Sequence, residues 1–301
     1  MKNILIVLVG PTCVGKTDLS IQIARHFGCE IISADSRQFF REMKIGTAVP
    51  SDSHLAEVKH YFIRFLSVKD YYSVSLFERD VLKVLPGLFD RNNIALMTGG
   101  SGMYIDSVCH GIDDIPDVDP LVRDKYIKKY QDEGITGLRL ALKLLDPEHY
   151  KKVDLKNSKR LIRALEICET TGRPYSTFLT KRKRERDFRV IKIGIERPRE
   201  ELYNRINQRV DEMIMTGLEK EARSLFRMSD LNALNSVGYK EFFYYFEGKI
   251  TKEKAVDLIK RNTRRYAKRQ MTWWGKDKDI VWFGAESVGG IISYLESKAM
   301  D

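Results

Sequence analysis

Cysteine is scarce in this chain, with four residues in 301: Cys13, Cys29, Cys109 and Cys168. They form no C-x-x-C pair and have no histidine at zinc spacing. This excludes the disulfide framework of a small secreted domain and predicts a reduced, cytoplasmic protein. Long apolar runs are also missing. The N-terminal run Ile4 to Val9 is six residues long, against the roughly 20 that a membrane helix needs. It leads directly into a glycine-rich turn, so it reads as a buried strand and not as a signal peptide, and no membrane association is expected. Low-complexity tracts and internal repeats are absent, which excludes solenoid and fibrous architectures.

Acidic residues are scarce in one half only. Between Lys151 and Gly275 there are 31 Lys/Arg against 17 Asp/Glu, whereas the remaining residues hold 21 against 25. The net charge of +10 therefore belongs to the second half. That asymmetry points to a polyanionic partner, nucleic acid first, with a merely soluble basic surface as the alternative. Apolar residues at 43% are enough for a sizeable core, in one large domain or two smaller ones.

The order of elements predicts an α/β fold. A strand at Ile4 to Val9 precedes a helix with Leu19, Ile23 and Phe27 on one face. A second strand, Glu30 to Ala34, ends at Asp35-Ser36. A helix over Ser75 to Asp90 leads to a strand at Asn93 to Met97, broken by Thr98-Gly99-Gly100-Ser101-Gly102. Strands alternating with helices predict a parallel sheet. The Asp- and Pro-rich segment Gly111 to Pro120 then reads as a junction. Residues from about 121 to 180 read as helices only, one of them capped by Asn157 or Ser158 and stopped by Gly172 and Pro174. Strand character returns at Val190 to Ile195 and at Ile280 to Phe283. The expected architecture is a P-loop parallel-sheet core, residues 1–112 and 190–301 with C-terminal helices, interrupted by an all-helical subdomain at 113–189. The last long helix carries Arg261, Arg265, Lys268 and Arg269 on one face.

Gly10-Pro11-Thr12-Cys13-Val14-Gly15-Lys16-Thr17 satisfies G-x-x-x-x-G-K-[ST], between a strand and a helix. The glycines let backbone N–H groups close around phosphate oxygens, the helix N-terminus adds its dipole, Lys16 supplies a point charge and the Thr17 hydroxyl can ligate Mg²⁺. At average residue frequencies a chance match in a chain of this length has a probability on the order of 1%. An ordinary P-loop NTPase also carries an Asp at another strand end to help hold the metal. Here the strand ending at Met97 has none, and the strand-end carboxylate is Asp35. Ligands of open α/β sheets bind at the carboxyl ends of the strands, so Asp35 and Ser101 are expected to face the P-loop ligand. Asp35 can serve as a base or as a group behind the metal; a turn cap is the alternative.

GPTCVGKT, ISADSRQFFREMKIGTAVP, TGGSGMYI, KRLIRALEI, NSVGYKE and AKRQMTWW stand in this order from about residue 3 to about residue 283. In this the chain resembles the tRNA dimethylallyltransferases, the bacterial tRNA isopentenyltransferases. The resemblance implies transfer of a dimethylallyl group from dimethylallyl diphosphate to the exocyclic amine of the adenosine 3′ to the anticodon, in tRNAs reading codons that begin with U. It implies that the P-loop, from Gly10 to Thr17, holds the donor's diphosphate, and not necessarily an ATP that is hydrolysed; an ATP-binding role for the loop stays open. It implies Mg²⁺ on Thr17, Asp35 as general base, and a catalytic set of Asp35, Lys16, Thr17 and Ser101. Ser101 stands where the family usually has Thr.

By the same resemblance, tRNA contacts fall on Asp35, Ser36, Arg37, Gln38, Ser101 and Arg123. They also fall on Lys159, Arg160, Leu161, Ile162 and Arg163, and on Asn235, Ser236, Val237, Gly238, Tyr239 and Lys240. Arg205 and Arg209, one helical turn apart, are candidates for the diphosphate. The connector Lys181 to Arg189 (KRKRERDFR) could grip RNA phosphates. Trp273 and Trp274 read as core residues and not as base-stacking platforms. Eukaryotic relatives often add a zinc finger; with no Cys beyond Cys168, this chain is expected to bind tRNA without one, as a monomer. Two other readings stay open: prenyl transfer to free adenine nucleotides, and a P-loop NTPase or small-molecule kinase that binds RNA.

Overall fold

The computed structural model describes residues 3–116, 118–180 and 184–300. The chain divides into two compact units, Met1–His110 with Glu185–Asp301, and Gly111–Arg184. In chain order the regular elements are β1 (Ile4–Val9), α1 (Lys16–Phe27), β2 (Ile31–Ser33), α2 (Asp52–Glu57), β3 (His60–Tyr61), α3 (Val74–Arg91), β4 (Ile94–Thr98) and α4 (Gly102–His110). There follow α5 (Pro120–Leu145), α6 (Pro147–Tyr150), α7 (Ser158–Thr171), β5 (Arg189–Glu196), α8 (Arg199–Met215), α9 (Leu218–Leu225), α10 (Tyr239–Phe246), α11 (Lys252–Trp274), β6 (Ile280–Gly284) and α12 (Val288–Met300).

The first unit is built on a parallel sheet of order β3-β2-β4-β1-β5-β6. β1 is buried along its whole length, as a central strand covered on both faces must be. Its alternate residues feed two cores. Ile4, Ile6 and Leu8 pack with Leu19 and Ile23 of α1 and Leu295 of α12, while Leu5, Val7 and Val9 pack with Phe77, Val81 and Leu85 of α3. A third cluster joins α8 to α11 through Val210, Leu218, Tyr239, Phe242 and Ile259. β3 was not foreseen, since two residues carry no periodicity.

Register decides where the chemistry sits. Leu8 lies level with Thr98 and Ile193, and Ser33 lies level with Thr98. The chain segments leaving β1, β2 and β4 therefore emerge side by side at one edge, the place where open α/β sheets bind ligands.

The regular elements of the second unit are all helical, with no strand among its described residues. α5 breaks at Gly134, whose φ of 65° is the left-handed region glycine enters freely. Asn157 caps α7 by accepting the Arg160 N–H, and Gly172 ends it with φ 66°. The core is Tyr126, Leu138, Leu142, Leu161 and Leu165. Buried Asp146 accepts the His149 N–H at 2.8 Å and the Ser176 N–H and hydroxyl at 2.6 and 2.8 Å, tying α6 to the turn at Tyr175–Phe178.

Residues 185–189, expected within the insertion, pack with the sheet unit. Arg186 explains this. Its guanidinium donates to the buried Glu78 carboxylate at 2.6 Å and to the Ser107 and Val108 carbonyls at 2.8 and 2.9 Å. Arg189 donates to the Lys298 carbonyl of α12. These two arginines of the charged connector are thus tied inward and are not presented to RNA. Lys181, Arg182 and Lys183 of the connector lie outside the described residues.

Candidate active site

The turn after β1 is shaped by backbone the sequence permits. Gly10 has φ 151°, and a Cβ there would lie 2.6 Å from the Ile195 carbonyl; Gly15 has φ 112°. Cys13 is also left-handed, at φ 65°, a conformation that costs a non-glycine residue about 1–3 kcal/mol. Its carbonyl accepts a hydrogen bond from Arg205 Nε at 2.9 Å, and the Val14 carbonyl accepts one from Arg197 Nε at 2.9 Å. Two arginines thus hold the loop in shape from outside.

Lys16 Nζ donates to the Gly10 and Pro11 carbonyls at 2.6 and 2.8 Å. Burial pushes it down to about 8, against the opposing pull of Asp35 and with a further lowering from Arg209. The ammonium therefore loses its proton at a lower pH than an ordinary lysine until an anion arrives to share the site. The Thr17 hydroxyl has no hydrogen-bond partner among the described residues and lines the same cavity.

Asp35 follows β2. Its Oδ1 accepts the Arg37 N–H at 3.0 Å, while Oδ2 faces the Gly100 turn, where a Cβ would come within 3.1 Å of it. Burial raises the Asp35 pKa above the usual carboxylate range, opposed by the Arg37 N–H, the Lys16 charge, the Gln38 N–H and the Arg37 charge. A carboxylate whose proton affinity is raised, with one oxygen pinned and the other open, is suited to taking a proton. The Ser101 hydroxyl accepts the Ser36 N–H at 3.0 Å and bonds the Ser36 hydroxyl at 3.0 Å, so it fixes the turn that carries Asp35.

Two adjoining cavities meet at Asp35. The first, about 270 Å³, is polar and is lined by Thr12, Cys13, Gly15, Lys16, Thr17, Gln38, Arg205 and Arg209. The second, about 510 Å³, has apolar walls from Ile206, Val210, Met213, Leu218, Val237, Ile259 and Trp274. Its mouth carries Ser36, Arg37, Ser101, Asn235, Ser236, Gly238 and Arg269. Asp35, Arg209, Gly100, Tyr266 and Gln270 line both. The space can hold an anion at one end and an apolar group at the other, with a carboxylate between them.

Two residues of this junction were missed in the sequence. Gln270 Oε1 accepts the Thr12 N–H at 2.8 Å and its Nε2 donates to the Gly100 carbonyl at 2.9 Å, strapping the P-loop to the turn after β4. Tyr266 donates its hydroxyl to the same carbonyl at 3.0 Å. Gln270 lay in the AKRQMTWW block, but the arginine stripe beside it drew the reading to the opposite face.

Other expectations sort by exposure. Lys159, Arg160 and Lys240 are exposed and Arg163 is half-buried, whereas Leu161 and Ile162 sit in the helical core. Tyr239 is fully buried, its hydroxyl donating to Glu221 at 2.6 Å, so its side chain is not presented to RNA in this structure, unlike the expectation. The same Glu221 accepts the N–H groups of Lys44, Ile45 and Gly46, which holds the neighbouring Thr47 and Ala48 in the cavity wall. Arg261, Arg265, Lys268 and Arg269 are exposed. Trp274 is core, as read, but Trp273 is 44% exposed and lines the larger cavity, its indole N–H donated to Asp106 at 2.9 Å. The reason is Gly102, where a Cβ would lie 2.4 Å from the indole nitrogen. All four cysteines are free thiols, and burial pushes Cys29 and Cys109 up to about 12, so neither is a nucleophile.

The IPP transferase family model matches residues 38–277. The chain belongs to the IPP transferase family. It is 53% identical over 299 residues, 99% of each chain, to a tRNA dimethylallyltransferase of Christiangramia forsetii. It is 52% identical over 297 residues, again 99% of each chain, to tRNA dimethylallyltransferase 1 of Phocaeicola vulgatus. Among solved structures it resembles the full-length tRNA isopentenylpyrophosphate transferase of Bacillus halodurans, at TM-score 0.72 and 33% identity over 99% of this chain and 97% of that one. The fold is also that of a eukaryotic dimethylallyltransferase acting on tRNA, at TM-score 0.77 and 23% identity over 99% of this chain and 78% of that one. Family membership fits a parallel-sheet transferase, and no described helix is long and apolar enough to cross a membrane.

Proposed function

We infer that this chain is a tRNA dimethylallyltransferase, moving a dimethylallyl group from its diphosphate to the exocyclic amine of the anticodon-adjacent adenosine in tRNAs reading U-starting codons. The observation that carries the reading is the single carboxylate, Asp35, at the junction of a cationic P-loop cavity and a larger cavity with apolar walls. The diphosphate sits on the P-loop, with Lys16, Arg205 and Arg209 around it. The apolar tail extends towards Asp35. The acceptor base, taken out of a single-stranded loop where unstacking is cheapest, enters through the larger cavity. Asp35 Oδ2 receives the amine proton as the C–N bond forms and the diphosphate departs. Ser101 and Gln270 keep the reacting turns in register.

The donor set fits Mg²⁺. No group of three or more His, Cys, Asp or Glu could cage a metal among the described residues, and Mg²⁺ characteristically keeps waters and takes one or two protein oxygens plus substrate phosphates. Thr17 would supply the hydroxyl ligand, and the ion would neutralise charge on the departing diphosphate. Arg123, Lys159, Arg160 and Arg163 on the helical unit, and Arg37, Asn235, Ser236 and Lys240 on the sheet unit, supply tRNA contacts. Acting on tRNA, the protein would work in the cytoplasm.

The decisive experiment is mass spectrometry of the anticodon-loop adenosine after incubation of the protein with an anticodon stem-loop, dimethylallyl diphosphate and Mg²⁺. A dimethylallyl mass increment on that base is expected. Preferential labelling of AMP, or phosphate release from ATP without prenyl donor, would overturn the reading.

The two arginines divide their work. Arg205 spends one donor on Cys13, whereas Arg209 has no ion pair among the described residues and reaches both cavities. A charge-assisted hydrogen bond is worth about 1.5–3 kcal/mol. Arg209→Gln is therefore expected to lower kcat/KM for the donor about 10- to 100-fold, with kcat falling as well. Arg205→Gln is expected to act on donor KM alone. Steady-state kinetics at saturating tRNA distinguish them, and equal losses in both parameters would reject the division.

A further inference from the structure

Glu166 of α7 is fully buried, at 0% exposure. Neither carboxylate oxygen makes a well-formed hydrogen bond. Its charged contacts are Arg123 of α5, Nη1 to Oε1 at 3.3 Å, and Arg163, one turn earlier on α7, Nη1 to Oε2 at 3.6 Å. Those two side chains are 55% and 38% exposed. Burial raises the pKa of this acid above the usual carboxylate range, and the two arginines oppose that shift without cancelling it.

For stability this arrangement is poor. A buried carboxylate forfeits hydration, and partners this long and this wet return little of it; an apolar residue of similar volume is commonly neutral or better. The arrangement gains meaning from what it does to the arginines. A guanidinium carries five N–H donors in a rigid fork. Each arginine sets Nη1 against the acid while part of its side chain stays exposed to solvent. Two flexible side chains from different helices are thereby brought to one point of the surface with side-chain entropy already spent. Exposed Lys159 and Arg160 lie on the first turn of the same helix as Arg163.

We propose that Glu166 is a positioning residue that aims Arg123 and Arg163 as a preorganised clamp for an RNA backbone phosphate. The proposal rests on the tRNA reading above and goes beyond it, since Glu166 itself touches no RNA. It makes a counterintuitive statement about sign. Simple electrostatics says that deleting an anion beneath an RNA-binding surface tightens binding. The clamp says that deleting it loosens binding, because the arginines lose their common support.

The test uses the full chain, an anticodon stem-loop RNA and the variants Glu166→Gln and Glu166→Met. For both, RNA Kd is expected to rise about 5- to 20-fold, the order of the ordering entropy of two long side chains that must then be immobilised on binding, while Tm is unchanged or, for Met, raised. A merely structural role would lower Tm and affinity together. In a double-mutant cycle, Arg123→Ala is expected to cost about tenfold in affinity in the parent and about twofold beside Glu166→Gln. RNA affinity equal to or tighter than the parent's in Glu166→Gln, or equal costs of Arg123→Ala in both backgrounds, would overturn the clamp. Failure of the parent itself to bind the stem-loop would instead overturn the tRNA reading.

Discussion

Replacing Asp35 by asparagine is expected to lower the rate of prenyl transfer by about 10²- to 10⁴-fold, the range over which a positioned general base acts, while tRNA affinity stays within about twofold of the parent. Asparagine keeps the shape and can still accept the Arg37 N–H through its Oδ1, so the turn after β2 survives. What disappears is the proton acceptor at Oδ2, between the two cavities. Single-turnover transfer from labelled donor, measured beside stem-loop binding, is the check. A near-parental rate would remove Asp35 as base.

The same substitution has an opposite effect on stability, and the sign follows from proton counting. Burial raises the folded-state pKa of Asp35 above its unfolded value. Between those two values the folded chain binds more protons than the unfolded chain, so stability falls as pH rises through that window. At neutral pH, above the unfolded value, Asp35 therefore costs stability, and Asp35→Asn is expected to melt at a higher temperature than the parent at pH 7, with the difference vanishing in acid. A functional group held at the expense of the fold is what an active site predicts; a lower Tm at pH 7 would make Asp35 a structural cap.

The sheet was legible because its central strands are short apolar runs ended by glycine or by Asp-Ser, and such runs fit buried parallel strands. The P-loop, Asp35 and Ser101 were legible because strand ends of a parallel sheet converge. Gln270 was not. Its partners, Thr12 and Gly100, lie 258 and 170 residues away, and no local periodicity encodes a contact of that span. Trp273 was misread for a related reason. Adjacent aromatics on a helix point in directions about 100° apart, so Trp274 can be core while Trp273 is not. The missing side chain at Gly102 is what lets the indole lie over α4. Tyr239 was placed on RNA by its segment's resemblance, but its ring fills the space beside Gly46, where a Cβ would meet it at 2.6 Å. The connector failed differently, because composition alone cannot tell a solvated arginine from Arg186, which is buried on Glu78.

Lys16→Met is expected to raise the KM for the prenyl donor about 100-fold, since it removes a charge-assisted contact to the diphosphate. The pH dependence of the parent supplies the more specific check. Without donor, burial holds Lys16 at about 8; a bound diphosphate returns an anion to the ammonium and raises that value. Donor binding above pH 8 must therefore take up a proton, and donor affinity should fall about tenfold per pH unit above that point until the liganded pKa is reached. Calorimetry at pH 9 in buffers of different ionisation enthalpy should show that uptake, approaching one proton in the parent and none through this group in Lys16→Met. Lys16→Arg keeps its charge throughout this range, so its basic limb should disappear even where its fit is poorer. The stability sign is again opposite to the functional one. A lysine whose folded pKa is lowered destabilises the native state while charged, a penalty present below pH 8 and relieved between pH 8 and the ordinary value of 10.5. Lys16→Met is thus expected to melt higher than the parent at pH 7, with the gap closing towards pH 10.5. A donor KM that stays flat from pH 7 to pH 10 in the parent would show that the diphosphate does not rest on Lys16.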